Sequence, residues 1–245
     1  MMKNIIIKIF NNFGFTVKKK YNLSRKDIAY LHIGKTGGTQ IMNICSKLRN
    51  NNFNVVKHNH DVKLSDISND NDYFFSIRKP VNRYLSGFYS RLRKGKPRLY
   101  VEWSKDEEIA FKNFSNANEL AESIYLQDEK GKKAKIAMTS ISHINSNQID
   151  WFQNLSFLNH RPPLFIIRQE NLVPDMETFF KIMKLNFNVK DLIDDRPEIS
   201  HSNNYSNVTP LSKLATENLN KWYTRDNLFY KFCEDWIALK VKSVN

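Results

Sequence analysis

Short apolar runs alternate along the chain with longer segments in which apolar residues recur at helical spacing. The first run is nearly continuous, as expected for a strand buried on both faces, and it comprises Ile28, Tyr30, Leu31 and Ile33. The helical pattern that follows begins near Gly38 and comprises Ile41, Ile44, Cys45 and Leu48. Together the two patterns predict a buried strand, a short loop and a helix.

The same arrangement returns further along the chain. Short apolar segments predict strands at residues 53–57, 73–77 and 164–167, and helical periodicity follows Pro80 and Leu172. Residues 106–154, and two segments that begin at Pro210 and near Arg225, are mostly helical in pattern. Strands that alternate with helices predict an α/β fold with a central parallel sheet flanked by helices.

The loop between the first strand and its helix has the composition of a phosphate-binding loop. Glycines let backbone N–H groups approach an anion, the helix N-terminus adds partial positive charge, and polar side chains add donors. The residues concerned are Lys35, Thr36, Gly37, Gly38, Thr39 and Gln40. It is not a Walker A loop, because Ala29 stands where that motif has its first glycine. An ordinary tight turn is the alternative, since glycine and threonine favour turns and helix starts.

Four polar side chains are predicted at the carboxyl ends of neighbouring strands. Lys35 follows the first strand, His58 and His60 follow the second, and Arg78 follows the third. Ligands of open parallel sheets bind at this edge. The pattern therefore predicts a single crevice that all four side chains reach, with His58 and His60 on the same face because they are two residues apart.

Length and composition bound the fold and the partners. The chain has 245 residues, 41% hydrophobic and 13% aromatic, which predicts a single domain over residues 25–245 with an appendage or flap at 1–24. The net charge of +13 favours an anionic or phosphorylated partner. Cys45 and Cys233 fall in apolar helical patterns without metal-ligand spacing, so buried reduced thiols and a cytoplasmic location are expected.

The N-terminal residues are apolar but too interrupted to predict a membrane span or a cleaved signal, because Lys8 and several asparagines break the run. A flap packed on the domain is the favoured interpretation. The alternative is peripheral contact with a membrane surface through Ile5, Ile6, Ile9, Phe10 and Phe13, supported by the lysines at 18–20.

Residues 73–101 contain basic side chains and no acidic ones. A solvated helix face would explain most such runs, yet charges of one sign repel each other, so part of the run is expected to meet an anion. We predict that an acceptor substrate binds Arg91, Arg93, Lys94, Lys96 and Arg98. No nucleic-acid-binding motif is recognisable, so nucleic acid is not the expected partner.

The phosphate loop and the end of the third strand together resemble a known family. A magnesium-dependent nucleotide enzyme needs an aspartate at such a strand end, whereas here Arg78 stands there and Ser86 follows two turns into the helix. This pair of motifs resembles the sulfotransferases that use 3′-phosphoadenosine 5′-phosphosulfate (PAPS), and is most similar to the heparan sulfate 2-O-sulfotransferase type. The resemblance runs from about Asp27 to Trp236.

The resemblance implies a P-loop-like sulfotransferase fold and a role for each matching residue. The loop at Lys35 to Gln40 would hold the 5′-phosphosulfate, and Arg78 and Ser86 the 3′-phosphate, with no metal required. The His-X-His at 58–60 matches a motif whose second histidine is the catalytic base, so His60 is the expected base, with His58 and Lys35 assisting. Ser200 and His201 match the start of a loop that closes over the nucleotide, but the cationic residue that follows in the family is missing here.

The sequence therefore predicts a PAPS-dependent sulfotransferase that acts on a hydroxyl of a carbohydrate, with an anionic polysaccharide as one candidate. The absence of a Golgi anchor of the animal type fits a bacterial cytoplasmic enzyme. Two alternatives from other classes stay open. One is a nucleotide or sugar kinase with a degenerate phosphate loop, and the other is a non-catalytic polyanion-binding protein, which the net charge alone favours.

Overall fold

A four-stranded sheet with the order β2-β1-β3-β4 organises the computed structural model, which describes residues 27–49, 53–97, 99–193 and 209–244. The strands are β1 (Asp27–Leu31), β2 (Asn54–Lys57), β3 (Tyr73–Ile77) and β4 (Ile166–Arg168). All three neighbouring pairs are parallel, with Ala29 opposite Tyr73 and Phe75 opposite Ile166 in the registers. The predicted α/β fold with a central parallel sheet is confirmed.

Helices follow β1, β3 and β4, whereas β2 and β3 are joined by a segment with one 3-10 turn. The helices are α1 (Gly38–Ser46), α2 (Pro80–Leu92), α3 (Lys105–Asn113), α4 (Ala117–Ser123), α5 (Glu129–Ser140), α6 (Phe157–His160), α7 (Leu172–Ile182), α8 (Val189–Leu192), α9 (Lys213–Trp222) and α10 (Thr224–Val244). Short 3-10 turns lie at Leu64–Asp66, Gln148–Trp151 and Gln169–Asn171. The predicted helices after Gly38, Pro80 and Leu172 are all present.

Residues 1–26, which include the predicted appendage, and residues 194–208, which include Ser200 and His201, lie outside the described residues. The division into an appendage and a single domain stays a prediction. Within the described residues, no helix combines the length and the apolar composition needed to cross a membrane. Cys45 and Cys233 are free and buried, as expected.

The buried residues form two clusters, and α2 connects them. One cluster surrounds the sheet and is rich in aromatic rings, such as Phe74 stacked on Tyr30 with ring centroids 4.8 Å apart. The other cluster lies among helices α2 to α5 and α9, and it includes Tyr84 and Phe88 of α2. Helix α2 therefore begins at the edge of the sheet, where Pro80 occupies its first turn, and ends inside the helical cluster.

A buried ion pair fixes the far end of α2 against α3. The Arg91 guanidinium donates to both carboxylate oxygens of Glu107, each at 2.7 Å, and both side chains are about 95% buried, with 6% and 5% exposed. Arg91 also donates to the carbonyl oxygens of Val101 and Glu102 at 3.2 and 3.1 Å. Glu107 caps α3 by accepting from the backbone N–H of Ser104 at 3.0 Å. The pair leaves neither charge unsatisfied.

Replacing Glu107 with alanine should lower the free energy of unfolding by about 3–5 kcal/mol, because it leaves the Arg91 charge buried without a partner. Urea unfolding measures this change. Glu108→Ala is the matched control, since Glu108 lies on the same helix and pairs with the exposed Lys112 at 2.8 Å. That control should cost less than about 1 kcal/mol. Equal small losses in the two variants would contradict a structural role for the Arg91–Glu107 pair.

Candidate functional site

The loop between β1 and α1 lies at the carboxyl end of β1, where the sequence predicts a phosphate site. Lys35 and Gly37 adopt left-handed backbone angles, with φ of 70° and 88°. Among the described residues no side chain caps α1, and its first turn has no acidic residue. Its first N–H groups and helix dipole therefore favour an anion.

The N-terminus of α2 differs from that of α1. Glu170, which follows β4, accepts hydrogen bonds from the backbone N–H of Lys79 at 2.9 Å and from the Asn82 amide at 3.1 Å. A carboxylate already occupies the favourable position at this helix end. The two helices therefore differ, and the start of α1 is the more favourable of the two for an anion.

Gly38 is required where it stands because β1 and α1 approach closely. A Cβ atom on Gly38 would lie 2.2 Å from Nε2 of His32 and 3.0 Å from the hydroxyl of Tyr30. Real Cβ atoms do not approach other atoms so closely. The second glycine of the loop therefore allows the start of α1 to pack on the His32 ring.

Two arginines from the β3–α2 segment hold the loop by its carbonyl groups. Arg78 Nη1 donates to the Lys35 carbonyl at 3.3 Å, and Arg83 Nε donates to the Gly34 carbonyl at 3.0 Å. Arg78 is only partly buried, whereas Arg83 is 2% exposed. Arg78 therefore retains accessible surface beside the loop, and Arg83 supports the loop from within the protein.

The Thr36 side chain faces the core instead of the anion site, so the prediction that its hydroxyl binds phosphate is wrong. Its hydroxyl donates to the Ile33 carbonyl at 2.8 Å and also hydrogen-bonds Ser76 Oγ at 2.7 Å, while Ser76 Oγ lies 2.6 Å from the Tyr30 hydroxyl. Each hydroxyl has one proton, so donation runs from Tyr30 to Ser76 to Thr36 to the carbonyl. Thr36 is fully buried, and only its backbone N–H can serve a ligand.

Arg83 belongs to a buried polar network that reaches α10. Its Nη1 donates to the Ser146 carbonyl at 2.6 Å and lies 4.0 Å from Asp226, which is fully buried. Asp226 accepts from the Gln148 backbone at 2.6 Å, and the Gln148 amide donates to the Arg78 carbonyl at 2.8 Å. Burial raises the pKa of Asp226 and lowers the pKa of Arg83, and the long ion pair offsets only part of each shift. The network thus positions Arg78 and the loop together at a cost in desolvation.

Ser86 lies on α2 and is 7% exposed. Arg78 lies just before that helix, beside Lys35. Thr39 and Gln40 are part-buried in the first turn of α1. The joint grip of Arg78 and Ser86 on one phosphate stays a prediction.

His60 lies at the entrance to the loop, and its ring packs on another imidazole. Its Nδ1 is 3.1 Å from the His32 carbonyl, and the His60 and His32 ring centroids are 4.1 Å apart. A carbonyl only accepts, so Nδ1 carries the proton and Nε2 carries the lone pair when the ring is neutral. Desolvation, together with the charges of Lys57 and Lys35, lowers the pKa of His60, although the His32 carbonyl opposes this shift.

His58 does not share the position of His60. Strand β2 ends at Lys57, so the alternation of side chains is not maintained, and His58 is 5% exposed whereas His60 is exposed. Burial lowers the pKa of His58. The expectation that the two rings are presented alike on one face is not met, and the supporting catalytic role of His58 stays a prediction.

The basic stretch is less uniform than its sequence indicates. Arg91 is committed to the Glu107 pair, so the prediction that it binds an acceptor is wrong. Lys94 forms an ion pair with Glu102, the first acidic residue after the stretch, and lies 4.5 Å from the Trp103 ring centroid. Lys96 is exposed and lies 5.3 Å from the centroid of Tyr100. Arg93 is part-buried, and Arg98 lies outside the described residues.

Arg83 and His143 lie at the site, although the sequence pattern did not identify them as site residues. Arg83, Gly87 and Arg91 recur at four-residue spacing and lie on the buried side of α2, while the apolar residues Val81, Leu85 and Leu92 are only partly buried. This four-residue spacing indicates that the three residues share one face of the helix. Arginine is rarely expected on a buried face, so the spacing alone does not identify Arg83 as a buried residue. His143 is distant in sequence, and its ring centroid lies 5.6 Å from that of His60.

The fold is that of an α/β protein with a glycine-containing loop, and a helix start that no described side chain caps, at the carboxyl edge of a parallel sheet. Residues 21–233 match a family model described as the sulfotransferase family, and the chain belongs to that family. Its class is therefore that of a transferase of sulfuryl groups. Searches of curated proteins and of solved structures each found no similar protein.

Proposed function

We propose that the protein transfers the sulfuryl group of PAPS to a hydroxyl of a carbohydrate and releases adenosine 3′,5′-bisphosphate. The observation that carries this proposal is the contact between Arg78 and the phosphate loop, at 3.3 Å from Nη1 to the Lys35 carbonyl. This contact brings the Arg78 cation, which would bind the 3′-phosphate, beside the loop that would bind the 5′-phosphosulfate. Nucleotides with phosphates on both sides of the ribose require two such sites.

The described residues fit this donor. The amide groups at the start of α1 and the Lys35 ammonium would hold the 5′-phosphosulfate, and Arg78 with Ser86 would hold the 3′-phosphate. Glu170 is already engaged at the start of α2, where it accepts from the Lys79 backbone N–H and the Asn82 amide. A doubly anionic ligand would therefore meet donors and cations at both ends.

PAPS supplies a sulfuryl group whose bond to the 5′-phosphate oxygen breaks as a bond to the acceptor oxygen forms. The acceptor hydroxyl loses its proton to Nε2 of His60, and the bond electrons remain on the 5′-phosphate. Lys35 stabilises the charge that develops there. Catalysis of such transfer depends mainly on in-line positioning and charge stabilisation. A lowered pKa keeps His60 neutral, and thus ready to accept a proton, at neutral pH.

The acceptor is proposed to be an anionic sugar chain that approaches over the end of α2. Lys96 and Arg93 supply positive charge there, and Tyr100 is 52% exposed beside Lys96. Aromatic and cationic groups in combination suit a sulfated or carboxylated carbohydrate. Similarity to the heparan sulfate 2-O-sulfotransferase type, a bacterial origin and a cytoplasmic location belong to this proposal.

Isothermal titration calorimetry with adenosine 3′,5′-bisphosphate and with Mg-ATP tests the donor. Binding of the bisphosphate in preference to Mg-ATP is expected. Arg78→Ala should weaken bisphosphate binding by about 1.5–3 kcal/mol, the usual contribution of a hydrogen bond to a charged group. Arg49→Ala, which removes an exposed charge at the end of α1, is the control and should leave affinity nearly unchanged.

The same titration with a ligand that lacks the 3′-phosphate completes a double-mutant cycle. The losses from Arg78→Ala and from the missing phosphate should not add, because both remove the same interaction. Additive losses would place Arg78 elsewhere. Preference for Mg-ATP would favour a kinase, and binding of neither nucleotide would favour a polyanion-binding protein.

His60→Ala should lower kcat by about 10²–10⁴-fold and leave bisphosphate affinity nearly intact, since a general base contributes to the chemical step and not to donor binding. Steady-state assays at saturating acceptor measure the change. His160→Ala, at an exposed histidine on α6, is the control. Near-normal turnover of the His60 variant would reject the assignment.

Neutralising Arg93, Lys94 and Lys96 together should raise the acceptor KM and flatten its salt dependence, while the KM for PAPS stays nearly constant. A glutamine triple variant is suitable, with Lys132, Lys133 and Lys135 of α5 as a control of equal charge change. Acceptor kinetics that respond equally in both variants would indicate a general charge effect instead of a binding surface.

A further inference from the structure

The loop that follows α5 brings a third imidazole to the phosphate loop. The His143 ring meets the His60 ring edge to face, with centroids 5.6 Å apart and planes at 75°. Its Nδ1 lies 3.1 Å from the position that a Cβ atom on Gly34 would take. His60, which is an exposed residue, thus has ring contacts with both His32 and His143.

His143 has a backbone conformation that a side chain other than glycine rarely adopts, with φ of 73°. Such strain persists only where the surroundings determine it, and it concentrates at functional sites. Here three hydrogen bonds hold the neighbouring residues. Ser142 N–H donates to Glu107 at 3.0 Å, the Tyr223 hydroxyl donates to the Ile144 carbonyl at 2.8 Å, and Arg83 donates to the Ser146 carbonyl at 2.6 Å.

Helix α2 packs directly on this loop. A Cβ atom on Gly87 would lie 2.7 Å from Cγ2 of Ile144 and 3.3 Å from the Cβ of His143. Glycine at 87 therefore permits the close approach that brings His143 over the site. Through Arg83, the same helix also holds the carbonyl of Gly34, so one element aligns the His143 loop with the phosphate loop.

We propose that His143 is a positioning residue, and that its ring together with that of His32 holds the His60 imidazole in the orientation that directs Nε2 toward the acceptor hydroxyl. The inference rests on the proposed role of His60 as the base. The His32 backbone carbonyl fixes one edge of the ring through the bond to Nδ1, and the edge-to-face contact with His143 restricts rotation of the ring. A base held in this way needs no reorganisation when the acceptor arrives.

The electrostatic surroundings agree with a packing role. Burial lowers the pKa of His143 to about 3, with further contributions from Lys35, His60, Arg83 and Arg91, so the ring is neutral at physiological pH. His60 faces His32 and the cations Lys35, Lys57 and Arg83. A neutral His143 covers part of the His60 ring without adding a charge. Removing the ring should admit water and raise the pKa of His60.

The test is His143→Asn, because asparagine tolerates the left-handed backbone and lacks the ring. NMR titration of the His60 Cε1 proton, assigned with His60→Ala, should show a pKa that rises toward its unperturbed value of ~6.5. The acid limb of kcat/KM should move to higher pH, and kcat should fall about 10- to 100-fold through misplacement of the base. Bisphosphate affinity should change less than about twofold, since donor-binding groups are untouched.

Controls separate this role from general damage. His143→Gly also preserves the backbone and decides the matter if the asparagine variant does not fold, while His160→Asn removes an exposed imidazole and should change nothing. An unchanged His60 pKa in the folded variant overturns the proposal. A lower kcat with an unchanged His60 pKa also overturns it, because the effect would not pass through His60. The NMR result does not depend on catalysis, so its failure is distinguishable from failure of the proposed sulfuryl transfer.

Discussion

A single buried guanidinium connects the parts of this site. Arg83 donates to the carbonyl of Gly34 at the start of the phosphate loop and to the carbonyl of Ser146 on the loop that carries His143. Carbonyl oxygens without partners in the interior are costly, and a guanidinium can satisfy several at once. The cost is desolvation of a charge, which the fully buried Asp226 offsets only in part at 4.0 Å. The phosphate loop, the His143 loop and α10 consequently share one support.

The acidic residues of this strongly basic chain are distributed so that the start of α1 is left favourable for an anion. Glu107 pairs with Arg91, Asp226 faces Arg83, and Glu170 accepts from the start of α2. Each carboxylate is thus used where it stabilises the scaffold. The start of α1 has no acidic residue in its first turn, so its amides favour an anion there. The place at which the protein favours an anion therefore depends on the positions of its carboxylates as much as on the positions of its cations.

Three expectations from the sequence failed for the same reason. The type and position of a residue in the sequence do not determine which way its side chain points in the folded protein. Thr36 is in the phosphate loop, yet its hydroxyl continues a chain of hydrogen bonds into the core through Ser76. His58 follows β2, yet the strand ends one residue earlier and the ring is buried. Arg91 is in an acid-free run, yet Glu107 reaches it from the next helix in the chain. Each error concerns a contact with a partner that local pattern does not contain.

The amino-acid sequence by itself determined the parallel α/β architecture and the location of the loop after β1. Apolar runs, helical periodicity and glycine placement are local properties, and they follow from burial and backbone sterics over a few residues. Tertiary structure alone decided that Arg83 supports the loop, that Gly38 admits the His32 ring, and that His143 stands beside His60. Those relations join residues far apart in the chain, and packing of α2 against the loops is what brings them within a few ångströms.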